Sequence, residues 1–412
     1  MLPTITSKLP DVGTTIFTIM SQMAHDYHAI NLAQGFPNFP PSEQLLDYAA
    51  KAMRDGMNQY APMAGLRSLR EAIAAMTSER YGEGKELWHP DTEITITPGA
   101  TAALFAAICA VVQPGDEVIV FEPCYDSYLP AVRLCGGVPV PVALRLPDYS
   151  VDWELVEQAI TPRTRMMIFN TPHNPSGMVW SADDMLRLQA IVRDTPIILL
   201  SDEVYEHITF DGIRHESVSR YEELRQRSFI VSSFGKTFHV TGWKTGYCLA
   251  PAQLMQEFRK VHQFNTFCTH TPSQYAFAKM LADSTHYTTL GAFYQQKRDY
   301  FRALLQHSRF ELLPCQGSYF QLARYDALSA DKDTDFCVRL TKEHRVATIP
   351  VSVFYSQPPL HRLPARHPSR SNHGQESSLA PDSAFTYHHV LRFCFAKTNE
   401  TLEAAAEILC KL

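Results

Sequence analysis

From residue 93 onward, short apolar runs alternate with alanine-rich or amphipathic segments. "EITIT" at 93–97 has strand character, and "GATAALFAAICAVV" at 99–112 has helical character. "DEVIVF", "SYLPAVRLC" and "VPVPVAL" follow, then "RMMIFN", the amphipathic "SADDMLRLQAIVRD", "PIILLSD", "SFIVSSF" and "GYCLA". Strands that are apolar throughout, interleaved with helices, predict a mostly parallel sheet covered on both faces. Residues 66–81 carry a further helical pattern. Past residue 250 the character changes. Helical stretches run through "PAQLMQEFRKVHQF" and "YQQKRDYFRALLQHS", followed by strand candidates "GSYFQLA", "VATIPV" and "VLRFCFA". The last helix is "TNETLEAAAEILCKL", with Thr398 or Asn399 as its cap.

This pattern divides the chain into a large α/β domain over 46–290 and a smaller α+β domain over 291–412. Residues from 250 to about 290 read as linking helices. Residues 1–45, with prolines at 3, 10, 37, 40 and 41, read as an irregular segment packing near the small domain. Residues 361–389, "HRLPARHPSRSNHGQESSLAPDSAFTYHH", have no hydrophobic period and read as a long polar loop or insertion. Its five histidines match no standard metal spacing, and no metal is expected.

A length of 412 residues fits more than one structural unit. A net charge of −6 argues against a nucleic-acid-binding face. The nine cysteines, at 109, 124, 135, 248, 268, 315, 337, 394 and 410, form no CxxC pair and sit mostly in apolar runs. They are expected to be reduced thiols of a cytoplasmic protein. The N-terminus lacks a signal-peptide pattern, and no apolar run approaches the length of a membrane span.

"SSFGKTFHVTGWK" places Lys236 among small residues just past a strand. In an open α/β sheet ligands sit beyond the carboxyl ends of the strands. Successive strand ends here present Gly99, Ala100 and Thr101, then Tyr125, then Asn174, then Asp202 and Tyr205, then Lys236. An amine, an acid, a ring to stack on, hydroxyl and amide donors and a helix N-terminus for an anion are together what pyridoxal phosphate requires. Taken singly, each has a plainer reading. Asp202 suits a helix N-cap, Asn174 a turn before Pro175, and Tyr125 a core aromatic.

"NTPHNPSG", "SDEVYEHITF", "SSFGKTFHVTGWKTGY" and "LRFCFAK" resemble the signatures of the class I and II aminotransferases of fold type I. "NLAQGFPNF" and "NQYAPMAGLRSLREAIA" fit as well. Within that family the chain is most similar to the methionine, glutamine and kynurenine aminotransferase subgroup. The resemblance implies a large domain with a mostly parallel seven-stranded sheet, a smaller α+β domain, and pyridoxal 5'-phosphate as cofactor. It implies that Lys236 forms the cofactor's Schiff base and carries the proton at the substrate Cα. Asp202 would meet the pyridine nitrogen, Asn174 and Tyr205 the phenolic oxygen, and Tyr125 the ring face. Ala100, Thr101, Ser233 and Lys244 would hold the phosphate. Lys244 stands where many relatives carry arginine, and the subgroup uses lysine there. Tyr60 would reach the phosphate of a neighbouring subunit, making the enzyme a homodimer. Arg392, with Gly35 and Asn174, would bind the substrate α-carboxylate, and Phe36 would face the substrate side chain.

The implied reaction is a ping-pong transamination between an amino acid and a 2-oxo acid. Phe36, Tyr60 and Tyr125 suit methionine or aromatic donors. Kynurenine or glutamine preference, and carbon–sulfur β-elimination on the same scaffold, remain alternatives. A regulator built on an inactive aminotransferase domain would carry a DNA-binding domain ahead of the matching region, where only about 30 irregular residues are expected. A non-catalytic relative would not be expected to keep Lys236, Asp202, Asn174, Tyr205 and Arg392 together. The 361–389 stretch is longer than the connection expected there in such relatives and is expected to hang in solvent.

Overall fold

The computed structural model describes residues 5–356 and 387–412. Most of the 361–389 stretch therefore lies outside the described residues. Among those that are described, the strands are β1 (Ile30–Asn31), β2 (Ile94–Thr97), β3 (Glu117–Glu122), β4 (Val138–Ala143), β5 (Thr164–Asn170), β6 (Ile198–Asp202) and β7 (Ser228–Ser233). Then come β8 (Gly246–Leu249), β9 (Glu311–Leu312), β10 (Phe320–Arg324), β11 (Val346–Ala347), β12 (Ile349–Pro350) and β13 (Val390–Cys394).

Seven strands form one sheet in the order β2-β8-β7-β6-β5-β3-β4. β8 runs antiparallel to both neighbours and the remaining pairs are parallel. The carboxyl ends of β2, β3, β5, β6 and β7 consequently share one edge. Both faces of this sheet are buried, which explains its unbroken apolar strands. Ile119 and Phe121 of β3 pack with Met185 and Leu188, while Val118 and Val120 pack on Leu104 and Ile108.

Helix α1 (Ile16–Asp26) begins at Thr15, whose hydroxyl accepts from the Thr18 N–H at 3.3 Å. The N-terminal segment is thus not irregular throughout. Met20 and Ala24, one turn apart, bury that helix face, and the prolines fall on either side of it. Further helices are α2 (Glu43–Arg54), α3 (Arg67–Tyr81), α4 (Ala100–Val111) and α5 (Tyr128–Leu134). Ser181 and Asp184 close a capping box on the helix Ala182–Val192. The helices Ala252–Asn265 and Thr271–Met280, read from sequence as linkers, pack on α4 and on α2 and α3 respectively, forming part of the layers that cover the large sheet. Thr398 caps the last helix, accepting from the Thr401 N–H.

A four-stranded antiparallel sheet, β12-β13-β10-β9, builds a second core with α1 and the C-terminal helix. β1 pairs in parallel with β11 beside it. The short β9 and β1 had no separate sequence signal. Among the described residues no helix is long and apolar enough to cross a membrane.

Candidate active site

Lys236, in the single-turn helix Phe234–Thr237 that follows β7, points its amine at the backbone of Gly35, donating to that carbonyl at 3.1 Å. The rings of Tyr319 and Tyr205 lie 5.6 and 5.9 Å from the same nitrogen. Burial lowers the amine's pKa to about 8, with the positive charges of Arg392 and Lys244 acting in the same direction against Cys394 and Asp202. A neutral, nucleophilic amine is therefore accessible near neutral pH.

One cleft gathers Lys236 with Gly35, Ala100, Thr101, Tyr125, Asn174, Asp202, Tyr205, Ser233, Lys244 and Arg392. Every site residue named from the sequence lines it except Tyr60 and Phe36. Tyr60 is 83% exposed, and its ring meets Phe267 edge-on. Phe36 lies under the Lys397 amine at 4.8 Å and lines a separate hollow beside the last helix. The expectation that Phe36 faces the substrate is corrected: Lys397 donates to the Phe36 carbonyl at 2.8 Å and holds that stretch of backbone toward the last helix. Phe17, Gln34, Gly99, Leu104, Asn170, Val204, Thr241 and Phe320 complete the cleft. Phe17 and Phe320 come from α1 and β10, whose contribution no local motif announced.

Asp202 ends β6 and is buried. Its Oδ2 accepts from Tyr128 Oη at 2.6 Å and its Oδ1 from the Val204 N–H at 3.2 Å. Burial raises its pKa to about 6, against the pull of those donors and of Lys236. The neighbouring carboxylates of "SDEVYEH" point elsewhere and are saturated. Glu203 takes His215, Ser201 and the Val218 N–H, and Glu206 takes Tyr81, Ser232 and Tyr247. Asp202 is the carboxylate of this segment that faces the cleft.

At the other end, Gly99 precedes α4 with φ +81°. A Cβ there would sit 3.3 Å from Lys244 Cε, so glycine lets the lysine side chain cross the helix N-terminus. Free first-turn N–H groups, Thr101, Ser233, Thr241 and the Lys244 cation converge there, a donor set matched to a phosphate. The Tyr125 hydroxyl stands 3.5 Å from Thr101 Oγ1.

Arg392 of β13 is 1% exposed. Nη1 donates to Asn174 Oδ1 at 2.8 Å and Nη2 to the Ala33 carbonyl at 2.9 Å. The guanidinium stacks 4.0 Å over Phe320, with Phe17 and Phe354 each at 5.2 Å. Among the described residues no carboxylate forms an ion pair with it, although the Asp126 carboxylate lies near enough to act on its charge, and its buried Nε has no partner. Burial lowers even this guanidinium, to about 10. Asn174 turns its oxygen to Arg392, which leaves its amide NH2 as the free donor.

The model of the family "Aminotransferase class I and II" matches residues 27–372. The chain belongs to this aminotransferase family. Among its relatives, the methionine aminotransferase of Escherichia coli K12 is 48% identical, with 98% of each chain covered. A solved structure of an Escherichia coli protein with methionine aminotransferase function superposes with a TM-score of 0.90, covering 100% of both chains. The probable N-succinyldiaminopimelate aminotransferase of Mycobacterium tuberculosis is 36% identical over 98% of each chain. Kynurenine–oxoglutarate transaminase 1 of Mus musculus is 31% identical over 98% of this chain and 96% of its own. The aminotransferase is a fold type I enzyme, and its cofactor is pyridoxal 5'-phosphate. The residues fit that group: an amine of depressed pKa, a buried carboxyl left over for a ring nitrogen, and an anion cradle share one cleft.

Proposed function

We propose that this aminotransferase takes methionine or an aromatic amino acid as amino donor and passes the amine to a 2-oxo acid. The carrying observation is the composition of the cleft. Its only arginine among the described lining residues is Arg392, and the side chains packed around that guanidinium are the rings of Phe17, Phe320 and Phe354. One arginine fork serves the α-carboxylate, and the apolar walls suit an uncharged side chain. The methionine aminotransferase function of the Escherichia coli relatives supports the same reading.

Bound pyridoxal phosphate supplies an electron-accepting ring. Lys236 would anchor it and would then take and return the proton at the substrate Cα. Asp202, held by Tyr128, would keep a negative charge against the ring nitrogen. Asn174 and Tyr205 would donate to the phenolic oxygen, and Tyr125 would pack on the ring. Ala100, Thr101, Ser233 and Lys244 would hold the phosphate, with Tyr60 contributed by a second subunit. Arg392 would orient the substrate carboxylate, helped by Gly35 and Asn174. The exposure of Tyr60, Phe264 and Phe267 supports a homodimer that covers them. The large domain spans 46–290 and the small one 291–412. The unpaired cysteines suit a cytoplasmic enzyme.

The test is titration of holoenzyme with methionine, phenylalanine and aspartate, followed by the cofactor's absorbance. Conversion to the amine form by the first two, and weakly by aspartate, is expected. Aspartate as the preferred donor would overturn the substrate assignment. Pyruvate and thiol release from cystathionine, without 2-oxo acid from methionine, would make the enzyme a β-lyase.

A further inference from the structure

Away from the cleft, α4 and α5 bring two thiols together. Cys109 lies in the last turn of α4, and Cys135 is the C-cap of α5. Their sulfur atoms are 2.9 Å apart, less than about 1 Å beyond a disulfide bond. Both are half-buried, whereas Cys124, Cys248, Cys315, Cys337 and Cys394 are buried. The contact is polar as well as close. Either thiol can donate across this contact. The interaction pushes the Cys109 pKa up and the Cys135 pKa down, so Cys135 is the sulfur that more readily becomes a thiolate.

We propose that Cys109 and Cys135 are a reversible oxidation site that closes into an intramolecular disulfide when the enzyme meets a hydroperoxide. Cys135 thiolate attacks the peroxide O–O bond. An S–O bond forms, the O–O bond breaks, and the departing alkoxide or hydroxide takes up a proton. Cys109 then attacks the sulfenic sulfur. The S–S bond forms, the S–O bond breaks, and water leaves with the Cys109 proton. Two thiols are oxidised and one peroxide is reduced, with no other oxidant required.

The position of the pair sets the consequence. Cys109 is nine residues from Ala100, so it lies about 13 Å along α4 from the first-turn N–H groups of the phosphate cradle. The disulfide would close a loop that contains β3 and Tyr125, joining the segment that carries the stacking ring to the helix that opens at Ala100. Closing that loop restricts the unfolded chain. The oxidised enzyme is expected to retain cofactor and activity and to resist denaturation better than the reduced enzyme.

The experiment treats the Cys410→Ser holoenzyme with equimolar hydrogen peroxide, blocks remaining thiols, and maps peptides without reduction. Cys410 is the exposed thiol, so removing it takes away the sulfur most open to disulfides between molecules, and half-buried Cys268 serves as an internal comparison. A dominant Cys109–Cys135 cross-linked peptide, reversed by dithiothreitol and accompanied by a higher Tm, is the expected result. In the Cys109→Ser variant Cys135 should instead accumulate as sulfenic or sulfinic acid. Free Cys109 and Cys135 after peroxide has been consumed, or sulfinic acid at either thiol in the Cys410→Ser enzyme, would overturn the proposal.

Discussion

Replacing Arg392 with lysine tests the substrate-binding reading at its narrowest point. A guanidinium has five N–H donors. Two are engaged in the 2.8 and 2.9 Å bonds to Asn174 and Ala33, and the Nε–H is buried without a partner. The remaining donors are what a substrate carboxylate would accept from. Lysine keeps one charge but loses the fork and the stack on Phe320. Losing one charge-assisted hydrogen bond costs about 1.5–3 kcal/mol, roughly a 10- to 150-fold drop in kcat/KM for methionine. The assay compares methionine with methioninol, the alcohol that lacks the carboxylate. Wild type should discriminate strongly between them, and Arg392→Lys should lose most of that discrimination while binding pyridoxal phosphate normally. Equal losses for both compounds, or an unchanged KM for methionine, would refute the assignment of Arg392 to the carboxylate.

Four further outcomes follow from the same geometry. Lys236 titrates near 8, so reconstitution of apoenzyme with pyridoxal phosphate should accelerate as pH rises through about 8, and a rate flat from pH 6.5 to 9 would contradict that environment. Tyr128→Phe removes the 2.6 Å donor to Asp202, which raises the Asp202 pKa further and should weaken cofactor binding by about 1–3 kcal/mol, read as Kd by fluorescence titration. Tyr60→Ala should weaken cofactor retention although Tyr60 lies outside the cleft, and hybrids with Lys236→Ala subunits should recover one working site per dimer if Tyr60 is shared between subunits. His173 and His207 are buried neutral, with pKa values lowered to about 4 and about 3. The unfolded chain protonates both first, so each should cost up to about 1.4 kcal/mol of stability per pH unit as pH falls below 6.5, measured by denaturant melts.

The large sheet was legible because its chemistry is local. Strands buried on both faces must be apolar throughout, and the residues just past their ends are fixed by sequence position, so Lys236, Asp202, Tyr125 and Asn174 could be read off in order. What comes from the second core was harder. Phe320 and Phe17 reach the cleft through the fold of β10 and α1, and their hydrophobicity alone marks them only as core. Helix α1 was missed because flanking prolines masked an eleven-residue helix with only two buried positions. Phe36 was misplaced because adjacency to Gly35 says nothing about which way a ring turns; the ring lies under the buried Lys397 amine, contributed from the far end of the chain. Asp202 was read from its place at a strand end and from the family resemblance; the structure adds that Glu203 and Glu206 beside it are taken up by other partners.

Buried charges divide this protein into groups that are already satisfied and groups that await a ligand. Glu203, Glu206 and Lys397 are surrounded by enough protein donors or acceptors to be neutralised or solvated in place. Lys236 and Arg392 are not, and both have pKa values lowered by burial. Asp202 retains only two donors and has its pKa raised. Leaving such groups under-solvated costs stability. All three face one cleft, and the ligands expected there offer a carbonyl for the lysine, a protonated ring nitrogen for the aspartate and a carboxylate for the arginine. The backbone of 33–35 links the two cations: Ala33 O accepts from Arg392, while Gly35 O accepts from both Lys236 and Tyr319, the latter at 2.6 Å. Residues 33–35 thus touch both cations, so a change at Gly35 should disturb the surroundings of Lys236 and Arg392 together.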